Sequence, residues 1–457
     1  MEYLPQILFI LIVGAAAFIM AKRISRIRKN ILLGRDTDRS DRKGERFRNM
    51  MLVAFGQKKM FKRPIPAILH LFVYIGFIVI NLEVLEFIID GIFGTHRYFA
   101  SIVGGEGAYT WLMNIFEFLA VGVIVSCTIF LIRRKVLRVD RLHGQEMTAW
   151  PKMDATIILV TEIILMFAIL TMNAADSLLQ TRNPEYITTG TLFFSSFLKP
   201  LFEDMSTSAL IALERAAWWF HIIGILAFAI YITYSKHLHI FLAFPNTYFA
   251  NLNRRGKMQN MPEVTREVKM MLGIPDETGA SAAATVNESE GHGGSGAAPQ
   301  EVATLGAKDI NDLNWKNLLD AYTCTECGRC TSRCPANQTG KKLSPRKIMM
   351  DTRDRAEEVG QSLDKGGPGL EDGKTLFRNY ITEEEINACT TCNACVEACP
   401  VQIDPLSIIL QIRRYMAMEE SSSPQEWQMM FQNIETSFAP WKFPPSDRFN
   451  WADSLKK

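Results

Sequence analysis

Five stretches of this 457-residue chain are apolar over lengths that cross a bilayer: residues 4–20, 66–90, 111–132, 154–172 and 209–234. About 20 residues of helix cover the ~30 Å of hydrocarbon. Inside lipid every backbone N–H and C=O must find a partner within its own segment, so such a chain is committed to a helical bundle. Five spans put its two ends on opposite sides of the membrane.

Lys and Arg are retained on the cytoplasmic side. Fifteen of them lie between Lys22 and Arg63, and five more from Arg133 to Arg141, whereas residues 91–110 carry only Arg97 and residues 176–205 only Arg182 and Lys199. The expected topology has the N-terminus outside and everything after Tyr234 in the cytosol, a multi-pass arrangement for the cytoplasmic membrane of a bacterium or archaeon. Ala15, Ala16 and Ala17 imitate a cleavage site, but the basic cluster follows the first span instead of preceding it, the reverse of a secretory signal. The first span reads as a retained anchor. The net charge of +2 conceals this asymmetry, which suits a loop lying on anionic lipid or an acidic partner. A basic loop held between two spans is a poor nucleic-acid site, and no nucleic acid is expected.

Eight of the nine cysteines form two copies of C-x-x-C-x-x-C-x-x-x-C-P: Cys324, Cys327, Cys330, Cys334 and Cys389, Cys392, Cys395, Cys399. This spacing wraps a chain around [4Fe-4S] clusters, and in two-cluster ferredoxins the fourth cysteine ligates the other cluster. The assignment is therefore Cys324, Cys327, Cys330 and Cys399 for cluster 1, and Cys389, Cys392, Cys395 and Cys334 for cluster 2. Structural zinc on paired C-x-x-C motifs leaves the third cysteine and the trailing Cys-Pro unexplained. Disulfides do not suit the reducing cytosol.

Four parts follow: a membrane domain over 1–245, a connector and flexible linker over 246–309, a dicluster domain over 310–420 and a tail over 421–457. From Asp276 to Asp309 the composition is Ala, Gly, Ser and Glu, which cannot bury a core. Within the dicluster domain, Ser344 with Pro345 marks a helix start, and Thr382 with Glu385 forms a capping-box pattern ahead of Cys389. No β-alternation of useful length appears, so this domain is also expected to be α-helical, with partner contacts fixing its position. Within the tail, "FAPWKFPPSDRFNWADSL" is aromatic and irregular, and is either a docking segment or packs back on its own domain.

Imidazole in a span is costly and reads as functional. His70 lies early in the second span, and His237 and His239 lie just past the fifth, at similar depth. If the fifth helix runs on to about Phe244, His221 and His239 are five turns apart on one face, with His237 nearly opposite. This favours His70 and His239 as axial ligands of a haem b, with His221 and His237 as further candidates. A second haem at His221 would need a partner about ten residues beyond His70, where Ile80 and Asn81 stand. His96, His143 and His292 fall in loops or the tether and read as solvated. The span residues Glu83, Glu86, Glu117 and Glu162, with Arg215, are available to a quinone headgroup or its protons, or to one another.

The five-span part resembles the cytochrome b subunit of respiratory nitrate reductase and of heterodisulfide reductase. The stretches "YSKHLHIFLAFPN", "CTECGRCTSRCPANQTGKKLSPRKI" and "ACTTCNACVEACPVQIDPLSIILQIRRYMAME" are similar to membrane-bound iron-sulfur oxidoreductases related to heterodisulfide reductase. The resemblance implies an oxidoreductase component that passes electrons between a cytoplasmic partner and membrane quinone. It departs in two respects: His70 is alone on its span where nitrate-reductase cytochromes have two histidines, and no CCG module is present. Every cysteine but Cys127, a small buried residue in the third span, is used. No catalytic residue is assigned, and a separate CCG-bearing subunit or flavoprotein is expected to act on substrate. Two rivals are a self-contained disulfide or organic-acid reductase and a cluster-bearing sensor or scaffold without haem.

Overall fold

The computed structural model describes residues 3–103, 107–258, 260–274, 304–366 and 372–455. Five long helices carry the apolar stretches: α1 (Leu4–Ile31), α2 (Pro64–Phe93), α3 (Ala108–Lys135), α4 (Ala149–Leu179) and α5 (Thr207–Ile232). At ~1.5 Å per residue, their 26–31 residues exceed the hydrocarbon thickness. The helices are thus longer than the hydrocarbon alone needs, and their last turns carry basic residues, such as Arg28 and Lys29 in α1 and Arg133, Arg134 and Lys135 in α3.

Local chemistry sets the ends. Proline occupies the first turn of α1 and α2, where no amide hydrogen is needed. Ser206 caps α5 by accepting from Ala209 N. The bundle is layered by the pairings α2 on α3, α3 on α4 and α4 on α5, with α1 against α2 and α5.

Beyond the bundle come α6 (His239–Tyr248), α7 (Trp315–Thr323), α8 (Pro345–Gly366), α9 (Pro405–Met418) and α10 (Gln425–Ser437). No strand occurs among the described residues; only isolated bridges do. The molecule is all-α. Lys347 N donates to Ser344 Oγ at the start of α8, and Thr382 and Glu385 form the expected capping box.

Two expectations change. The fifth helix stops at Ile232 instead of reaching Phe244, and Pro245 lies inside α6. Ahead of the aromatic stretch 438–455 the tail forms α10, with Trp427, Met429 and Phe431 exposed. The cysteine domain takes its position from this same chain. One continuous buried core runs from Phe9 and Trp218 in the bundle to Ile348 and Ile409 in the cysteine domain. The chain leaving α1 zips onto that domain: Arg35 N donates to Leu313 O at 2.7 Å, and Trp315 N returns a bond to Arg35 O at 3.0 Å. Arg23 pairs with Glu357 at 2.9 Å, and Asn30 donates to the Tyr322 hydroxyl at 2.8 Å.

Of the linker, residues 275–303 lie outside the described residues. Its end does not dangle: Ala307 is buried and donates to Gln411 O at 3.0 Å, while Asp309 pairs with Arg355 at 2.7 Å.

Candidate electron-transfer site

The two cysteine loops repeat in backbone as well as in sequence. Glu326 and Thr391, each just before the second cysteine of its motif, have φ of 54° and 55°; Gly328 and Asn393, each just after it, have φ of 69° and 61°. Left-handed backbone at a glutamate and a threonine is costly and is kept where surroundings over-determine it. In the first loop it accompanies three thiols, Cys324, Cys327 and Cys330, that line one cavity. The trailing cysteines sit at helix ends: Cys334 precedes a short helix begun by Pro335, and Cys399 ends the helix Ala394–Ala398.

Cys324, Cys327, Cys330 and Cys399 line one cavity, closed by Arg346, Met349, Pro400 and Ile403. Cys334 stands within electrostatic reach of Cys389 and Cys395, and Cys392 is the exposed member of that second set. Cys399 therefore lies with the first three thiols of the other motif, and Cys334 lies near Cys389 and Cys395. Among the described residues, no three metal-ligating side chains converge as they would on a single ion.

Amide hydrogens aim at the sulfurs: Ile403 N at Cys399 Sγ, 3.3 Å, and Thr391 N at Cys389 Sγ, 3.4 Å. Burial pushes the free thiols up, to about 12 at Cys324 and about 11 at Cys399. Only a strong Lewis acid would make thiolates of them at neutral pH, and such binding releases protons. A cavity walled by four thiols, with donors at sulfur, fits an iron-sulfur cluster.

Directly against this loop lies the histidine region. After Ile232 the chain breaks, and Asp154 on α4 organises the break. Its carboxylate accepts from the Tyr231 hydroxyl (2.6 Å), the Ser235 hydroxyl (2.6 Å) and Lys236 N (3.2 Å). A 3-10 turn over Lys236–Leu238 then opens α6 at His239. Because the helix is interrupted, His237 does not point away from His239; their rings are 5.6 Å apart.

His70 and His239 face each other with ring centres 6.4 Å apart. Imidazole–metal bonds of about 2.0–2.1 Å on either side of one ion would place the rings roughly 6 Å apart. Each Nδ1 is already engaged, His70 with Gln57 Oε1 at 3.2 Å and His239 with Lys236 O at 3.0 Å. Both rings thus turn Nε2 free, the orientation second-shell partners give to ligating histidines. Burial holds the His237 and His239 imidazoles neutral, His237 down to about 3.

His221 is fully buried, with Nδ1 at 2.9 Å from Leu165 O and Nε2 unpartnered. Its aromatic neighbour on α2 is Phe87, at 5.7 Å between ring centres, rather than Ile80 or Asn81. Phe87 supplies no imidazole. Of the loop histidines, His143 is exposed, as expected. His96 is not merely solvated, for Nε2 lies 3.2 Å from Asp176 and its ring packs on Tyr186. His292 lies outside the described residues.

The junction between histidines and cysteines is held by buried charges that sequence reasoning missed. Lys236, whose carbonyl orients His239, reaches Glu326 in the first cysteine loop at 2.5 Å. Glu326 also takes Arg353 at 2.9 Å. Arg346 donates to Glu146 at 2.7 Å, to Arg141 O at 2.6 Å and to Glu326 O at 3.3 Å. Arg141 donates to Cys327 O. In the sequence each reads as an interfacial charge, because its partner lies far along the chain.

The span carboxylates do not pair with one another or with Arg215; their partners, at the other end of the bundle, lie outside that set. Buried Arg97 lies 3.9 Å from Glu83 and 3.2 Å from Asp176. Glu86 accepts from the Tyr109 hydroxyl at 2.9 Å, Glu117 accepts from Phe194 N at 2.8 Å, and Arg215 pairs with Glu214. Glu162 is half-buried on α4.

The described residues are all-helical, with five helices of membrane-crossing length and a cysteine domain docked on their ends. Residues 323–403 match the model of a 4Fe-4S dicluster domain. The chain is 26% identical to a probable iron-sulfur-binding oxidoreductase, FadF, of Bacillus subtilis, over 98% of this chain and 60% of the relative. It is also 26% identical to an EtfAB:quinone oxidoreductase of Syntrophomonas wolfei, over 91% of this chain and 55% of the relative. A probable membrane-anchored ferredoxin of Chromohalobacter salexigens is 31% identical over 34% of this chain and 25% of its own length. The chain's homologues are thus iron-sulfur oxidoreductases, and it spans 55–60% of the length of the first two. No solved structure matches it.

Proposed function

We propose that the chain is a membrane-anchored electron-transfer subunit linking a cytoplasmic redox partner to the quinone pool through two [4Fe-4S] clusters and one haem b. The observation that carries this reading is the juxtaposition of a four-cysteine cavity with a facing histidine pair whose Nδ1 atoms are both engaged. Cys324, Cys327, Cys330 and Cys399 hold cluster 1; Cys389, Cys392, Cys395 and Cys334 hold cluster 2; His70 and His239 hold the haem. His221, with its orphan Nε2, is the remaining candidate ligand, and His237 lines the haem pocket. When bound, these groups supply reversible one-electron storage between one-electron carriers and a two-electron quinone. The residues fix ligand orientation, point amide hydrogens at sulfur and exclude water.

The N-terminus lies outside and the cysteine domain in the cytoplasm, as the basic loops require. The membrane part is residues 1–245, and the partner is a CCG-bearing protein or a flavoprotein. The Syntrophomonas relative's name, EtfAB:quinone oxidoreductase, supports a quinone and a flavoprotein as the two ends. The test is a reduced-minus-oxidised spectrum of membranes carrying the chain. A b-type band in wild type that disappears in His70→Ala and in His239→Ala, with cysteine-domain iron retained, is the expected result; a band indifferent to both removes the haem from the reading.

A further inference from the structure

An open cleft beside the cysteine domain borders the cluster 2 motif through Asn393 and Val396. It is walled by the loop 250–258, the helix Lys43–Met50, α7 and α9, none of which the electron path above employs. Its cations are Arg39, Lys59, Arg254, Arg255, Lys257, Lys316 and Arg414, of which Arg255 pairs with Glu397. Against them stand Glu45, Asp320 and Asp404, and Asp320 is already matched by Lys316 at 2.7 Å. At the floor, Asn317 is 2% exposed with Oδ1 unpartnered, and Arg39 Nε is likewise buried without a partner. A cleft lined by one sign of charge focuses field lines and attracts the opposite sign.

Exposure differs between the two cysteine sets in the same sense. Cys392 is exposed beside this cleft, whereas Cys324 and Cys399 are buried and the first loop is tied to the bundle through Arg141 and Lys236. Each set has two buried thiols, and Cys392 is the exposed cysteine among the described residues, whereas the first loop is held against the histidine region by Lys236.

We propose that this cleft is the docking surface for a soluble one-electron carrier protein with an acidic face, and that Cys392 marks the point where electrons cross. The inference rests on the reading of the cysteines given above. One electron leaves the carrier's reduced centre and one is gained at cluster 2; no bond is made to the carrier and no proton is required. The acidic rim of the partner meets Arg254 and Lys257, both exposed on the 250–258 loop.

The test uses the full chain in nanodiscs of neutral lipid, with an acidic plant-type ferredoxin as the probe. Affinity is read by titration calorimetry with a redox-inert, gallium-substituted form of that ferredoxin, and electron uptake by stopped flow with the reduced form. Wild type is expected to bind and react fastest at low salt. The double variant R254E/K257E is expected to lose affinity and rate by at least about tenfold and to converge on wild type at high salt, with its iron content and paramagnetic signals unchanged. Equal affinity in variant and wild type overturns the proposal. So does a wild-type affinity insensitive to salt, or displacement of the ferredoxin by vesicles of anionic lipid, which would assign the cleft to headgroups. Absence of iron from wild type would instead sink the functional reading while leaving the calorimetric comparison interpretable.

Discussion

The carboxyl of Glu146 feels burial, which alone would raise its pKa, but the hydrogen bond from Ser344 and the guanidinium of Arg346 outweigh it and hold it below its usual range. A carboxyl depressed in the folded state contributes stability above its unfolded value of about 4.3 and loses it as pH falls through the folded one. Acidification below about pH 4.5 should therefore loosen the first turn of α8, read as lost amide-exchange protection there, and Glu146→Gln should abolish that pH dependence. Glu146→Ala leaves Arg346 buried and unpaired, at a cost of about 3 kcal/mol or more. At the cysteines, Cys399→Ala and Cys324→Ala should remove the same paramagnetic signal and Cys334→Ala the other; loss of one signal by both Cys399→Ala and Cys389→Ala would refute the crossed pairing. All eight cysteines are legible because their spacing is local. Asp154, Gln57 and Lys236 are not, because each acts on a partner brought near only by folding: Gln57 meets His70 from a separate turn, and Asp154 meets Ser235 from another helix.

The break between α5 and α6 shows what helical periodicity misses. Nothing between Ile232 and His239 is Gly or Pro, so the apolar pattern reads as a continuous helix. The interruption comes from tertiary contacts with Asp154 and from Ser235, whose hydroxyl accepts from His237 N at 3.1 Å. His239 nevertheless meets His70, because depth in the bundle is fixed by span length rather than by phase. The five helices themselves are legible, since burying nothing polar over ~30 Å leaves one solution; their ends are less so, because helices run on into water wherever basic residues tolerate it. In the first cysteine loop, Gly328 has φ of 69° and a side chain there would collide with the backbone of Arg141. Gly328→Ala should therefore separate the loop from the α3–α4 connection. The expected result is a lower melting temperature, by several degrees, with protection lost around Arg141.

On the scale of the whole molecule, the bundle and the cysteine domain are one packed body among the described residues, sharing a core and a seam of buried ion pairs. Composition alone points to a flexible tether and a domain positioned by partner contacts; the seam escapes sequence reading because it joins residues 90 to 334 positions apart. Topology is checked with single cysteines. Asn183→Cys is expected to react with an impermeant maleimide in intact cells and Asn253→Cys only after lysis; the opposite pattern would invert the orientation. The central claim, two clusters crossed between the motifs, is tested most directly by metal and sulfide analysis of the anaerobically purified chain, together with its reduced paramagnetic spectrum. The account predicts about eight iron and eight acid-labile sulfide per chain, two cubanes of four, with spin coupling between neighbours. Zinc with no more than traces of sulfide would contradict it.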